Sequence, residues 1–119
     1  MPKTILVADD EQGQLKLLEA ALKSKGYNVI TASNGREALR LTHNLKPDLV
    51  LLDVQMPEME GDIVAMHIRS EQSSIKNVPI LFITGLRTEQ EITEDKEENI
   101  FAKPVKLSEL FDKIKNLIG

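Results

Sequence analysis

DLVLLD, residues 48–53, places four consecutive apolar side chains directly before a carboxylate. An uninterrupted apolar run of this length is what a strand buried on both faces looks like. Three further runs have the same form. ILVA leads into Asp9 and Asp10, ILFI into Thr84, and IFA into Lys103. In an open parallel sheet, ligands bind just beyond the carboxyl ends of the strands. Three carboxylates, a hydroxyl and an ammonium delivered to one sheet edge suit a divalent cation and a phosphoryl group.

Between these runs the spacing turns helical. Residues 12–25 place Leu15, Leu18, Ala21 and Leu22 on one face, and Gly26 stops the helix. A short strand over 28–32 follows. Asn34 is positioned to cap the next helix, with Glu37 as the returning half of a capping box. Ala38, Leu41 and Leu45 line its inner face, and Pro47 ends it. VQMPEMEG reads as a loop. A helix is expected from about Asp62 to Gln72, burying Val64, Ala65 and Ile68. Strands are expected over 79–84 and 99–102. A last helix over 107–118 turns Leu110, Phe111, Ile114 and Leu117 inward. Another helix is expected between Thr84 and Lys103, with Thr88 and Glu91 as its capping box. That stretch offers only Leu86 and Ile92 as apolar surface, so little packing would support it. The whole predicts an α/β, flavodoxin-like, doubly wound fold of five parallel strands in the order 2-1-3-4-5, with five helices and right-handed crossovers.

The composition is that of an ordinary soluble domain: 119 residues, 41% hydrophobic and 29% charged. Residues 1–119 are read as one domain. A net charge of −4 argues against a nucleic-acid surface, which needs basic clusters. The absence of cysteine excludes disulfides, thiolate metal sites and cysteine nucleophiles. No stretch approaches a membrane span, and the amino terminus reaches two aspartates too early for a secretory signal. A cytoplasmic protein is the expectation.

Clustered carboxylates raise one another's pKa, and a hard cation relieves the repulsion. Oxygen ligands without imidazole or thiolate favour Mg2+. Asp10 and Asp53 are the candidate direct ligands, with Asp9 acting through water. Asp53 is also the candidate nucleophile, since aspartate forms acyl phosphates. Lys103 would neutralise phosphoryl charge and Thr84 would donate its hydroxyl, with Gly85 leaving room beside it. His43 and His67 read as surface residues of their helices. The acidic run from Glu89 to Glu98 reads as a solvated face.

VADDE with Asp9 and Asp10, LLDVQMPEMEG with Asp53, Met56, Pro57 and Gly61, then Thr84 and Lys103-Pro104 together resemble the response-regulator receiver domains of two-component signalling, over the whole chain. The resemblance implies Asp53 as phosphoacceptor. It implies magnesium held by Asp10, Asp53 and the Gln55 backbone carbonyl, with Asp9 in support. It implies Thr84 and Lys103 as phosphoryl contacts and a cis Lys103–Pro104 peptide. The donor would be a sensor histidine kinase, a histidine phosphotransfer protein or a small acyl phosphate. The output would be altered contact with a downstream protein, from a monomer or a weak phosphorylation-dependent dimer. The chain would act alone or as part of a longer regulator.

Two features depart from the family pattern. The aromatic usual three residues before the lysine is Ile100 here, with Phe101 next to it, so either the strand slips to bring Phe101 round or the aromatic part of the switch is missing. Leu86, two residues after Thr84, has no group to orient a water, which implies a long-lived phosphoryl group. Two other functions compete. An aspartyl-phosphate phosphatase wants a second aspartate where Gln55 stands. A nucleotide- or cobalamin-binding module wants a glycine-rich loop after the first strand, or Asp-x-His-x-x-Gly near Asp53, and neither occurs.

Overall fold

A computed structural model of the chain describes residues 2–56, 58–70, 74–85 and 99–119. Five parallel strands form one sheet: β1 Thr4–Ala8, β2 Asn28–Ala32, β3 Leu49–Asp53, β4 Ile80–Thr84 and β5 Ile100–Ala102. Their spatial order is 2-1-3-4-5, as the sequence predicts. Among the described residues four α-helices accompany them: α1 Gln12–Ser24, α2 Gly35–Leu45, α3 Gly61–Ser70 and α4 Leu107–Ile118.

Four α-helices among the described residues correct the expected five. The count of five came from strict strand–helix alternation, carried across a stretch with almost no apolar surface to support it. That expected helix falls on residues 86–98, which lie outside the described residues, as do Pro57 and the expected end of α3 at Gln72. A four-residue 3-10 helix, Ser74–Asn77, leads into β4 and was not foreseen.

The alternation of side chains along each strand divides the core into two. Ile5, Val7, Leu49, Leu51, Leu81 and Ile83 face α1 and α4, where Leu15, Leu18, Leu22, Leu110 and Ile114 cover them. Leu6, Ala8, Val50, Leu52 and Ile80 face α2 and α3, covered by Ala38, Val64 and Ile68. Each such fully buried Leu or Ile contributes about 1.5–3 kcal/mol relative to exposure.

Asn34 caps α2 as expected, its side chain accepting from the Glu37 N–H at 2.8 Å. The Glu37 carboxylate returns to the Ser33 N–H at 3.0 Å, one residue before the cap. The inner face of α2 differs from the expected one. Leu45 is 53% exposed, while Thr42 is fully buried, its hydroxyl donating to the Ala38 carbonyl at 2.7 Å. A short polar side chain that back-bonds to its own helix thus takes a core place that apolarity alone assigns to leucine. Leu117 is likewise exposed on α4.

Candidate functional site

Each site residue stands where a strand stops. β1 ends at Ala8, and Asp9 and Asp10 begin the turn into α1. Asp9 is fully buried, and its Oδ1 accepts from the Glu11 N–H at 2.9 Å. Asp10 is exposed. Asp53 is the last residue of β3 and is 2% exposed. Its Oδ1 accepts from the Gln55 N–H at 3.1 Å, which pins the start of the β3–α3 loop to the carboxylate. Thr84 ends β4 one position beyond Ile83, the partner of Asp53 across the ladder. The Thr84 carbonyl accepts from the Lys103 N–H at 2.9 Å, so the fourth and fifth strand ends are tied together. No described residue would meet a Cβ at Gly85 within 4 Å.

The Lys103 ammonium crosses to the carboxylates. It donates to Asp53 Oδ2 at 3.0 Å and lies 3.4 Å from Asp9 Oδ2. The Lys103–Pro104 peptide is cis. Carboxylate oxygens of Asp9, Asp10 and Asp53 all fall within 4.8 Å of one another. Three carboxylates against one ammonium leave two negative charges in excess, which is the charge of one divalent cation.

The electrostatics follow from burial. Desolvation raises the Asp9 carboxyl to about 6, and the Asp53 carboxylate adds to the rise; the Glu11 N–H and Lys103 oppose it. Burial alone would lower the Lys103 ammonium, but its hydrogen bond to Asp53 and the charges of Asp9 and Asp53 outweigh this and raise it. Asp9 Oδ2 is buried with no hydrogen-bond partner. Buried polar atoms are seldom left so, and a bound ion is one recognised way of satisfying them. A buried carboxylate oxygen without a hydrogen bond, an all-oxygen donor set and a surplus of negative charge fit a hard cation such as magnesium.

Glycine at position 61 is needed for this geometry. A Cβ there would collide with the Asp53 carbonyl oxygen and come within 3.1 Å of Val54 Cα. The Gly61 N–H donates to the Val54 carbonyl at 2.9 Å, so α3 starts directly against the backbone of the candidate phosphoacceptor. The sequence shows Gly61 as a motif residue, but not what it touches. Gly35 was missed altogether: it is buried at the start of α2, and a Cβ there would collide with the Met59 carbonyl. Its only local signal is a glycine directly after a capping asparagine.

β5 also settles the place of its aromatic residue. Ile100 pairs with Phe82 and Phe101 with Ile83, without a slip in register. Phe101 packs against the α1–α4 core, so Ile100 occupies the position usual for the family's aromatic. No helix among the described residues is long and apolar enough to cross a membrane.

Residues 5–115 match the family described as the response regulator receiver domain. The polar-differentiation response regulator DivK of Brucella anthropi is 29% identical over 122 aligned positions, covering all of this chain and 98% of DivK. The alkaline phosphatase synthesis transcriptional regulatory protein PhoP of Bacillus subtilis is 44% identical over 85 positions, which cover 71% of this chain but 34% of PhoP. Among solved structures, the receiver domain of the sensor histidine kinase PA1611 of Pseudomonas aeruginosa, which has magnesium coordinated in its active-site cleft, superposes with a TM-score of 0.85 at 28% identity, covering 100% of this chain and 99% of that one.

Proposed function

Because this chain belongs to the response regulator receiver family, we propose that it is a phosphoacceptor switch in which Asp53 takes a phosphoryl group from a phosphohistidine and thereby alters binding to a downstream protein. One observation carries the reading: Lys103 bonded to Asp53 and 3.4 Å from a buried Asp9 oxygen that has no hydrogen-bond partner. In the transfer, a carboxylate oxygen of Asp53 forms the new P–O bond. The donor's P–N bond breaks, and the electron pair leaves with the imidazole nitrogen. From a small acyl phosphate, the P–O bond breaks and the carboxylate leaves.

Asp10, Asp53 and the Gln55 carbonyl would hold magnesium directly, with Asp9 supporting it through water. That ion would supply charge neutralisation for the transferring group. Magnesium in the cleft of the PA1611 receiver supports this assignment. The Lys103 ammonium, already against Asp53, stays in contact with the phosphoryl oxygens as charge builds on them. Thr84 donates its hydroxyl to one of those oxygens, beside Gly85, which has no side chain. The Gln55 N–H orients the Asp53 carboxylate before reaction. The donor is a sensor histidine kinase or a histidine phosphotransfer protein, and residues 1–119 act as one domain, monomeric or weakly dimeric when phosphorylated.

Intact mass after incubation with acetyl phosphate tests the reading. The parent protein gains one phosphoryl mass with magnesium and none with EDTA, and Asp53→Asn gains none. An unchanged parent, or an equal gain in Asp53→Asn, would overturn it.

A further inference from the structure

The outer side of α2 carries charge that the phosphoacceptor chemistry does not use. Arg36 and Arg40 stand one turn apart on it, both exposed, on a chain whose net charge is −4. They share the walls of two shallow cavities. One, of about 240 Å³, runs from Arg36 and Arg40 to Asn34, Glu37 and Glu58. The other, of about 350 Å³, adds Leu39, His43 and Asn44. The Glu37 carboxylate is committed to the Ser33 N–H. Arg40 makes no ion pair among the described residues. Among the described residues the Arg36 guanidinium pairs only with Glu58, at 4.0 Å, with both side chains more than half exposed. A pair so long and so solvated is worth little and is readily exchanged.

We propose that this strip of α2 docks an acidic segment of a partner protein, whose carboxylates take the place that Glu58 holds in the free chain. The argument rests on charge complementarity and on size. Two guanidinium forks one turn apart match carboxylates with a bidentate geometry that lysine could not offer. The strip is only two arginines wide, has Leu39 in its floor and is bordered by Glu37 and Glu58. Such a surface suits a short segment mixing acidic and apolar side chains. It is too narrow for a nucleic acid or an anionic lipid surface, which need broader basic clusters.

The strip is also mechanically joined to the carboxylate cluster. Gly35, beside Arg36, abuts the Met59 carbonyl of the β3–α3 loop. Glu58 in that loop has a left-handed backbone, φ 68°. The loop starts at the Gln55 N–H bonded to Asp53 and ends where Gly61 abuts the Asp53 carbonyl. From the other side, the Asp9 N–H donates to the Ala32 carbonyl just before α2, at 3.1 Å. A change at Asp53 that moves this loop moves Glu58, and linkage makes the effect reciprocal. Docking itself goes beyond the phosphoacceptor reading; only this coupling rests on it.

The test uses the full chain and a short fluorescein-labelled peptide of mixed glutamate and leucine, with its glutamine analogue as control, followed by anisotropy at low salt without any phosphoryl donor. The glutamate peptide binds and the glutamine analogue does not. The double variant Arg36→Ala, Arg40→Ala weakens binding about two- to thirtyfold, the range for two exposed charge pairs. Lys16→Ala on α1 leaves it unchanged, and Glu58→Gln tightens it about twofold. Circular dichroism of each variant separates loss of binding from loss of fold. Absence of peptide binding would overturn the proposal. So would equal binding by the double arginine variant, or arginine-dependent binding of phosphatidylserine vesicles or inorganic phosphate in place of the peptide. A final arm repeats the titration with acetyl phosphate and magnesium. A changed affinity supports the coupling, while an unchanged affinity removes the coupling and leaves docking in place.

Discussion

Replacing Asp9 by asparagine should stabilise the protein in the absence of metal, although it removes a residue of the site. Asp9 is fully buried, one of its oxygens has no hydrogen-bond partner, and its carboxyl is raised from 3.8 to about 6. A carboxyl whose folded pKa lies above its unfolded value favours folding fully only below the unfolded value. That contribution is lost as pH rises through the folded one, so the cost of ionised Asp9 grows from about pH 4 and levels off above about pH 6. At about 1.4 kcal/mol per pH unit, a rise of roughly two units costs up to about 3 kcal/mol at neutral pH. Asparagine removes the charge, keeps an oxygen for the Glu11 N–H, and turns its amide toward the neighbouring carboxylates. Desolvating that amide returns about 1 kcal/mol. The net gain expected at pH 7.5 is therefore about 1–2 kcal/mol, shrinking toward zero at pH 4. Urea unfolding in EDTA across pH 4–8 measures it. Magnesium reverses the ranking, because an ion at 100 times its dissociation constant adds about 2.7 kcal/mol to a protein that binds it and less to a variant that binds it weakly. A variant less stable than the parent at pH 7.5 in EDTA, or a difference that stays constant with pH, would refute this account of the cluster.

Further predictions concern the frame around the site. Gly61→Ala forces a Cβ against the Asp53 carbonyl; urea unfolding should show a loss of about 1–3 kcal/mol, the usual cost of overpacking, and calorimetry a weaker magnesium affinity, whereas unchanged values would mean the loop yields freely. Asn34→Ala removes the cap of α2 and should cost about 1 kcal/mol in the same unfolding assay while leaving magnesium affinity intact. The phosphoryl group on Asp53 should be lost slowly, because Leu86 brings no hydrogen-bonding group to orient a water; phosphorus NMR of the acetyl phosphate product measures this, and rapid spontaneous loss would contradict it.

The strands were legible because burial on both faces leaves unbroken apolar runs such as LVLL, and no other element produces them beside such regular turn signals. The site was legible for a related reason: parallel strands carry whatever follows them to one edge, so Asp9, Asp53, Thr84 and Lys103 could be gathered without knowing a single contact. What escaped depends on neighbours distant in sequence. Leu45 has the right period for the core but no facing surface, while Thr42 is buried because its hydroxyl finds a carbonyl within its own helix. Gly35 and Gly61 are small because a carbonyl from elsewhere occupies the place of their side chains. The buried Asp9 oxygen without a hydrogen bond is a property of three elements meeting, and no one of them announces it. The fifth helix is expected from the pattern's regularity alone, and it falls on residues 86–98, outside the described residues.

Chemical trapping tests the central claim most directly. Borohydride reduces an aspartyl phosphate to homoserine, which peptide mapping then locates. After acetyl phosphate and magnesium, homoserine should be found at position 53 alone, and at no position when EDTA replaces magnesium. Homoserine at another aspartate, or none at all in a protein that has gained phosphoryl mass, would contradict Asp53 as the acceptor.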